Sequence, residues 1–200
     1  MIGYERNIER VRGTYYAPIL RNMNRWQWSI TMVQFAADPA LTTRSTSWYI
    51  WDLFAHHPIT HSLPVDSPDG YNPAYYGAGR DDERDGALVW KGAVYNSTDN
   101  ADVPITVHFE GIEPGTEASL SMATNPSGDP WAYNDPLTQD YVVETSFRII
   151  RANDEGAFEF VMPRLSVAVL DTDTCAMATS YELERKRYVA GKPPGLRPEY

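Results

Sequence analysis

The sequence predicts an α/β segment followed by an all-β domain. Two observations predict it: the hydrophobic period shifts from about 3.6 near the N-terminus to two beyond residue 86, and the charge is unevenly spread. Residues 1–64 hold six Lys/Arg and four Asp/Glu, residues 65–172 six and nineteen, and residues 173–200 five and four. These breaks divide the chain into 1–64, 65–172 and a tail, 173–200. At 200 residues and 42% hydrophobic content the chain has room for one domain or two small ones.

In the first segment, Ile8, Val11, Tyr15, Ile19 and Met23 recur at three- and four-residue steps, which predicts a helix with Pro18 as a kink or break. WSITMVQFAA follows, apolar on both parities, as in a strand covered on both faces. DPALTTR is a turn. STSWYIWDLFAHH predicts a second helix capped by Thr43 or Ser45, lined by Trp48, Trp51 and Phe54, and stopped by Pro58. Helix, strand, helix is a slice of an α/β fold, and its single strand has no expected partner. Nine aromatics at 15–54 require a larger body to pack against.

In the second segment, six runs alternate or are short and apolar: LVWKGAVYN, PITVHFEG, EASLSMAT, DYVVETSFRII, GAFEFVMP and LSVAVLD. Turn signals separate them, which predicts an antiparallel β-sandwich. Residues 64–86, rich in Pro, Gly and Asp, read as a connecting loop. The tail is expected to be poorly ordered, apart from a short helix in SYELERKRYV.

Several function classes are excluded. The net charge of −10 disfavours a broad grip on nucleic-acid phosphates. No run reaches the ~20 apolar residues of a membrane span, and MIGYERNIERVRG lacks the apolar stretch of a signal peptide. One cysteine, Cys175, rules out an intrachain disulfide framework and a Cys-built zinc site. No nucleophile elbow, phosphate loop or metal motif supports an unrelated small hydrolase.

A set of ordered motifs resembles the C-terminal part of the fungal α-L-arabinofuranosidases of glycoside hydrolase family 51. They are GYERN (3–7), TYYAP (14–18), the run from Trp28 to Pro39, RSTSWY (44–49), LFAH (53–56), AVYNST (93–98), YNDP (133–136) and LSVAVL (165–170). The resemblance implies the last helix–strand–helix of an incomplete (β/α)8 barrel, followed by a jelly-roll-like antiparallel β-sandwich. The strand at 28–35 would be the eighth of the barrel, and the missing N-terminal barrel portion would cover residues 1–64. It also implies release of terminal α-L-arabinofuranosyl residues from arabinan or arabinoxylan, no cofactor, no metal, and an extracellular full-length enzyme. Retaining glycosidases use two carboxyl groups about 5–5.5 Å apart. In the family both are glutamates at the ends of the fourth and seventh strands, so neither falls within these 200 residues.

One catalytic-face loop falls within the chain, residues 36–44. Asp38, Arg44 and Ser45 are candidate rim residues of a sugar pocket; in other branches of the family a polar side chain near the position of Ser45 touches the sugar. The competing reading has Asp38 ordering the turn before Pro39 and Ser45 capping the helix. Glu5 and Glu9 read as surface charges, and His56, His57 and His61 as a helix end rather than a metal site. Trp26 and Trp28 read as packing. Trp131 and Tyr133 are candidates for sugar stacking or for a plug between sandwich and barrel. Asn96 stands in an N-glycosylation sequon. The alternative function is a non-catalytic β-sandwich module that binds carbohydrate or a partner.

Overall fold

A computed structural model describes residues 1–24, 30–68, 70–135, 137–138 and 140–174. Trp26, Trp28, Cys175 and the tail from 175 onward lie outside the described residues. The elements are α1 (Ile2–Glu5), β1 (Leu20–Asn22), β2 (Val33–Phe35), β3 (Thr43–Arg44), α2 (Thr46–Ala55), β4 (His61–Leu63), β5 (Ala74–Asp81), β6 (Ala87–Val94), β7 (Val103–His108), β8 (Glu117–Thr124), β9 (Glu144–Arg151), β10 (Ala157–Met162) and β11 (Ser166–Asp171).

A β-sandwich dominates. Its larger sheet has the order β4-β5-β6-β11-β8-β9, antiparallel throughout, and faces the antiparallel pair β7/β10. All six runs expected to be strands are strands, within a few residues. Alternation sets which side chains enter the core. Trp90 and Val94 of β6, Leu120 and Met122 of β8, and Ala168 and Leu170 of β11 point inward. They meet Val107 of β7 and Phe158, Phe160 and Met162 of β10. Trp90 and Phe160 touch edge to face across the layers, with centroids 5.5 Å apart. Gly92 lies under the Trp90 indole, where a Cβ would collide with the ring.

The 64–86 stretch is not a simple loop. It contains β5, and β4 starts just before it. AYYGAGRD hides a strand behind turn-forming residues, but its glycines serve close packing: a Cβ on Gly79 would strike Ile59 and the carbonyl oxygen of His61.

The first segment departs further from expectation. The helix expected over 6–23 is absent; only Ile2–Glu5 is helical, and Leu20–Asn22 forms β1. Gly13 weakens a helix and Pro18 cannot donate to one, while Val11 and Thr14 are β-branched. The backbone bonds elsewhere: Thr31 Oγ1 donates to the carbonyl oxygen of Ile19 at 2.9 Å, and the Val33 N–H donates to the same oxygen at 2.9 Å. The strand at 33–35 is therefore not alone. It pairs in parallel with β1, Leu20 opposite Val33 and Asn22 opposite Phe35, and antiparallel with β3.

α2 forms where expected and ends at Ala55, three residues before Pro58. Leu53 and Phe54 bury against Val89, Ala123 and Val169, the outward-facing residues of β6, β8 and β11. The helix thus covers the outer face of the large sheet, and α1 packs beside it on β5.

Candidate functional site

Asp38, Arg44 and Ser45 lie along the turn from β2 through β3 into α2. Asp38 Oδ1 accepts from the Ala40 N–H at 2.9 Å, which orders the turn holding Pro39. Arg44 lays its guanidinium over the Trp48 ring, 3.9 Å from the centroid. The Ser45 N–H donates to the Met32 carbonyl at 2.8 Å. Ser45 occupies the N-cap position without a side-chain capping bond, and its Oγ is buried with no hydrogen-bond partner among the described residues. The Ser45 hydroxyl is thus a buried hydrogen-bonding group left unsatisfied beside an arginine.

A residue from the sandwich supports this turn. Asn134, buried in the β8–β9 connection, donates through Nδ2 to the Arg44 carbonyl at 2.8 Å. Its Oδ1 accepts from the Val142 N–H at 2.8 Å. Its neighbours Trp131 and Tyr133 are 86% and 59% exposed.

Two largely buried ionic contacts join the helices before residue 58 to the sandwich, and the sequence disclosed neither. Lys91, 1% exposed, donates to Glu5 at 2.5 Å and to the Phe54 carbonyl at 3.3 Å. Glu5 is thus half-buried and paired, not a surface charge; Glu9 is exposed as expected. Burial pushes the Glu5 carboxyl up and the Lys91 ammonium down, and their mutual attraction offsets only part of each shift. A lone lysine inside the apolar run LVWKGAV was the one available signal, because a strand covered on both faces must pair such a charge.

The second contact centres on Asp171, at the end of β11. His57 Nδ1 donates to Asp171 Oδ2 at 2.6 Å, and Arg84 Nη1 donates to the same oxygen at 2.7 Å. Arg84 Nε also donates to Asp81 at 2.7 Å. Burial pushes the Asp171 carboxyl up, but the bonds from His57, Arg84 and the Asp173 N–H more than offset this and hold it below its ordinary 3.8. His57 follows the helix end as expected, yet it is fully buried, and its Nε2 has no partner among the described residues. His56 lies close to Asp52, and His61 pairs with Asp82 at 2.9 Å. Among the described residues no group of three His, Cys, Asp or Glu is arranged to hold a metal.

These geometries describe a sandwich fused to a strand–turn–helix that carries Asp38, Arg44 and Ser45. The model of the α-L-arabinofuranosidase C-terminal domain family matches residues 1–166. The chain belongs to this family. It is 29% identical over 170 residues to the probable α-L-arabinofuranosidase A of Aspergillus terreus, covering 85% of this chain and 25% of that one. The α-L-arabinofuranosidase A of Aspergillus niger matches with the same identity and coverage. Among solved structures, an arabinose-bound GH51 α-L-arabinofuranosidase superposes with a TM-score of 0.70 at 24% identity, over 86% of this chain and 26% of that one. The GH51 arabinofuranosidase of Xanthomonas axonopodis gives 0.59 at 17% identity, over 84% and 32%. The family chain thus spans about a quarter of the length of the Aspergillus relatives it matches.

Proposed function

We propose that these residues are the C-terminal part of an α-L-arabinofuranosidase, in which 1–64 ends a (β/α)8 barrel and 65–172 is the sandwich. The observation that carries this reading is the family match across both segments, residues 1–166. The parallel pair β1/β2 supports the barrel end, since parallel strands belong to sheets covered on both faces. On this reading the nucleophile and the acid/base carboxyl come from preceding strands, and Asp38, Arg44 and Ser45 form one wall of the sugar pocket. The substrate is a polymer or oligomer bearing terminal arabinofuranosyl groups. An extracellular setting fits Asn96, which is exposed just past β6 and open to glycosylation.

The test is a chimera. The upstream three quarters of an Aspergillus relative, fused to these 200 residues, is assayed for arabinose release beside the 200-residue chain alone. Activity in the chimera and none in the chain alone is expected. A folded but inactive chimera, or release by the chain alone, overturns the reading. In the active chimera Arg44→Ala raises KM more than it lowers kcat.

A further inference from the structure

We propose that Trp131 and Tyr133, in the connection between β8 and β9, form a stacking platform for the main chain of an arabinose-bearing polysaccharide, next to the Arg44–Ser45 rim. The proposal rests on the reading of that rim as a sugar wall. The exposure alternates along this stretch: Trp131 and Tyr133 are open, while Ala132 is partly covered and Asn134 is buried. Both rings therefore stand outward from a backbone fixed from below.

The fixing is dense. Asn125 Oδ1 accepts from the Ser127 N–H at 3.1 Å, and Asn125 Nδ2 donates to the Asp129 carbonyl at 2.8 Å. Asp129 Oδ1 accepts from the Trp131 N–H at 2.9 Å. Arg164, next to β11, donates to the Gly128 carbonyl at 2.8 Å. Asn134 closes the far side on Arg44. A large ring held in water by a loop with this many internal bonds is preorganised, so a ligand meets a site whose ordering entropy is already spent.

The surroundings select the ligand class. Protein-docking patches are depleted of charge at their centre; here Asp129 stands two residues before Trp131 and Asp135 two after Tyr133, each with one carboxylate oxygen taken by a backbone N–H of the loop. Carboxylates accept hydrogen bonds from hydroxyls, and aromatic faces accept the C–H faces of sugar rings, so the set fits a neutral polyol chain. The same carboxylates repel a phosphate backbone. Asn134 lies between Tyr133 and Asp135 and touches the rim, so main-chain sugars on the platform would leave a furanose side group at Arg44 and Ser45.

The experiment is affinity electrophoresis of the 200-residue chain through gels containing soluble arabinoxylan, with Trp131→Ala, Trp131→Phe, Tyr133→Ala and Arg44→Ala. Each ring lies at the surface, so the variants keep the fold, which circular dichroism checks. We expect retardation of the wild type, weakened about three- to tenfold by Trp131→Ala and partly recovered by Trp131→Phe. Wild-type retardation in both alanine variants, or none in the wild type, overturns the platform. Loss on Arg44→Ala alone overturns it too and leaves the rim reading standing. Loss on Trp131→Ala with an inactive chimera supports the platform while the enzyme reading fails. A change of oligomeric state in Trp131→Ala, with retardation unchanged, marks a protein interface and overturns the proposal.

Discussion

The two faces of the large sheet are sealed by different physics. The inner face meets β7 and β10 mainly through apolar side chains, Trp90, Leu120, Met122, Ala168 and Leu170 among them. The outer face meets α1 and α2 through a smaller apolar patch set among buried charges, Lys91 and Asp171. The first is non-directional and tolerates sliding; the second fixes where the helices sit, because a buried charge must meet partners at defined positions. Alternation along the strands thus builds the sandwich, and ion pairs locate the two helices on it.

The deepest break comes from the inner face. Phe158→Ala removes a fully buried ring and is expected to destabilise by about 3–5 kcal/mol in urea unfolding, with α2 lost in the same transition. A separate, earlier melting of α2 would show that the two faces do not fold as one unit.

Asp171→Ala attacks the outer face: it takes the carboxylate from His57 Nδ1 and leaves Arg84 with Asp81, at a cost of about 3 kcal/mol. The pH dependence has a definite sign. The Asp171 carboxyl is held below 3.8, so its stabilisation is complete above that value and is lost as pH falls through the lower folded value. Wild-type stability is expected to drop more steeply than that of Asp171→Asn below about pH 4. Parallel acid profiles for the two proteins remove Asp171 from the account.

The smallest effect separates the two ion contacts. Burial dominates at Glu5 and Lys91, whose charged forms are disfavoured on both sides. Glu5→Leu together with Lys91→Met is therefore expected to fall within about 1 kcal/mol of wild type or to exceed it, whereas Glu5→Leu alone leaves Lys91 unpaired and costs more. A double variant as weak as the single one would assign the pair a net stabilising role.

The sandwich was largely legible in the sequence because its strands find their partners within the chain and alternate accordingly; PITVHFEG and EASLSMAT show the period directly. β5 was not, since Tyr-Gly-Ala-Gly reads as a turn until Ile59 and His61 are known to press on Gly79. The helix expected at 6–23 rested on spacing alone: Tyr15 and Ile19 carry the period yet stand exposed, and Gly13 and Pro18 prevail. At the candidate site, motif order singled out Asp38 and Ser45, which the structure places along one turn. Asn134 and the Asp171 cluster were not, because their partners are separated by 90 and 114 positions and no local pattern encodes such a meeting.

That separation has a consequence for biosynthesis. His57 leaves the ribosome 114 residues ahead of Asp171. At about 5–20 residues per second the interval is on the order of ten seconds. Throughout it the cover over Leu53 and Phe54 is incomplete, because β11 supplies both the carboxylate and Val169 last. The nascent chain therefore carries residues 46–55 without their full cover through that interval, and chaperone engagement with 46–55 is expected to end when β11 clears the exit tunnel.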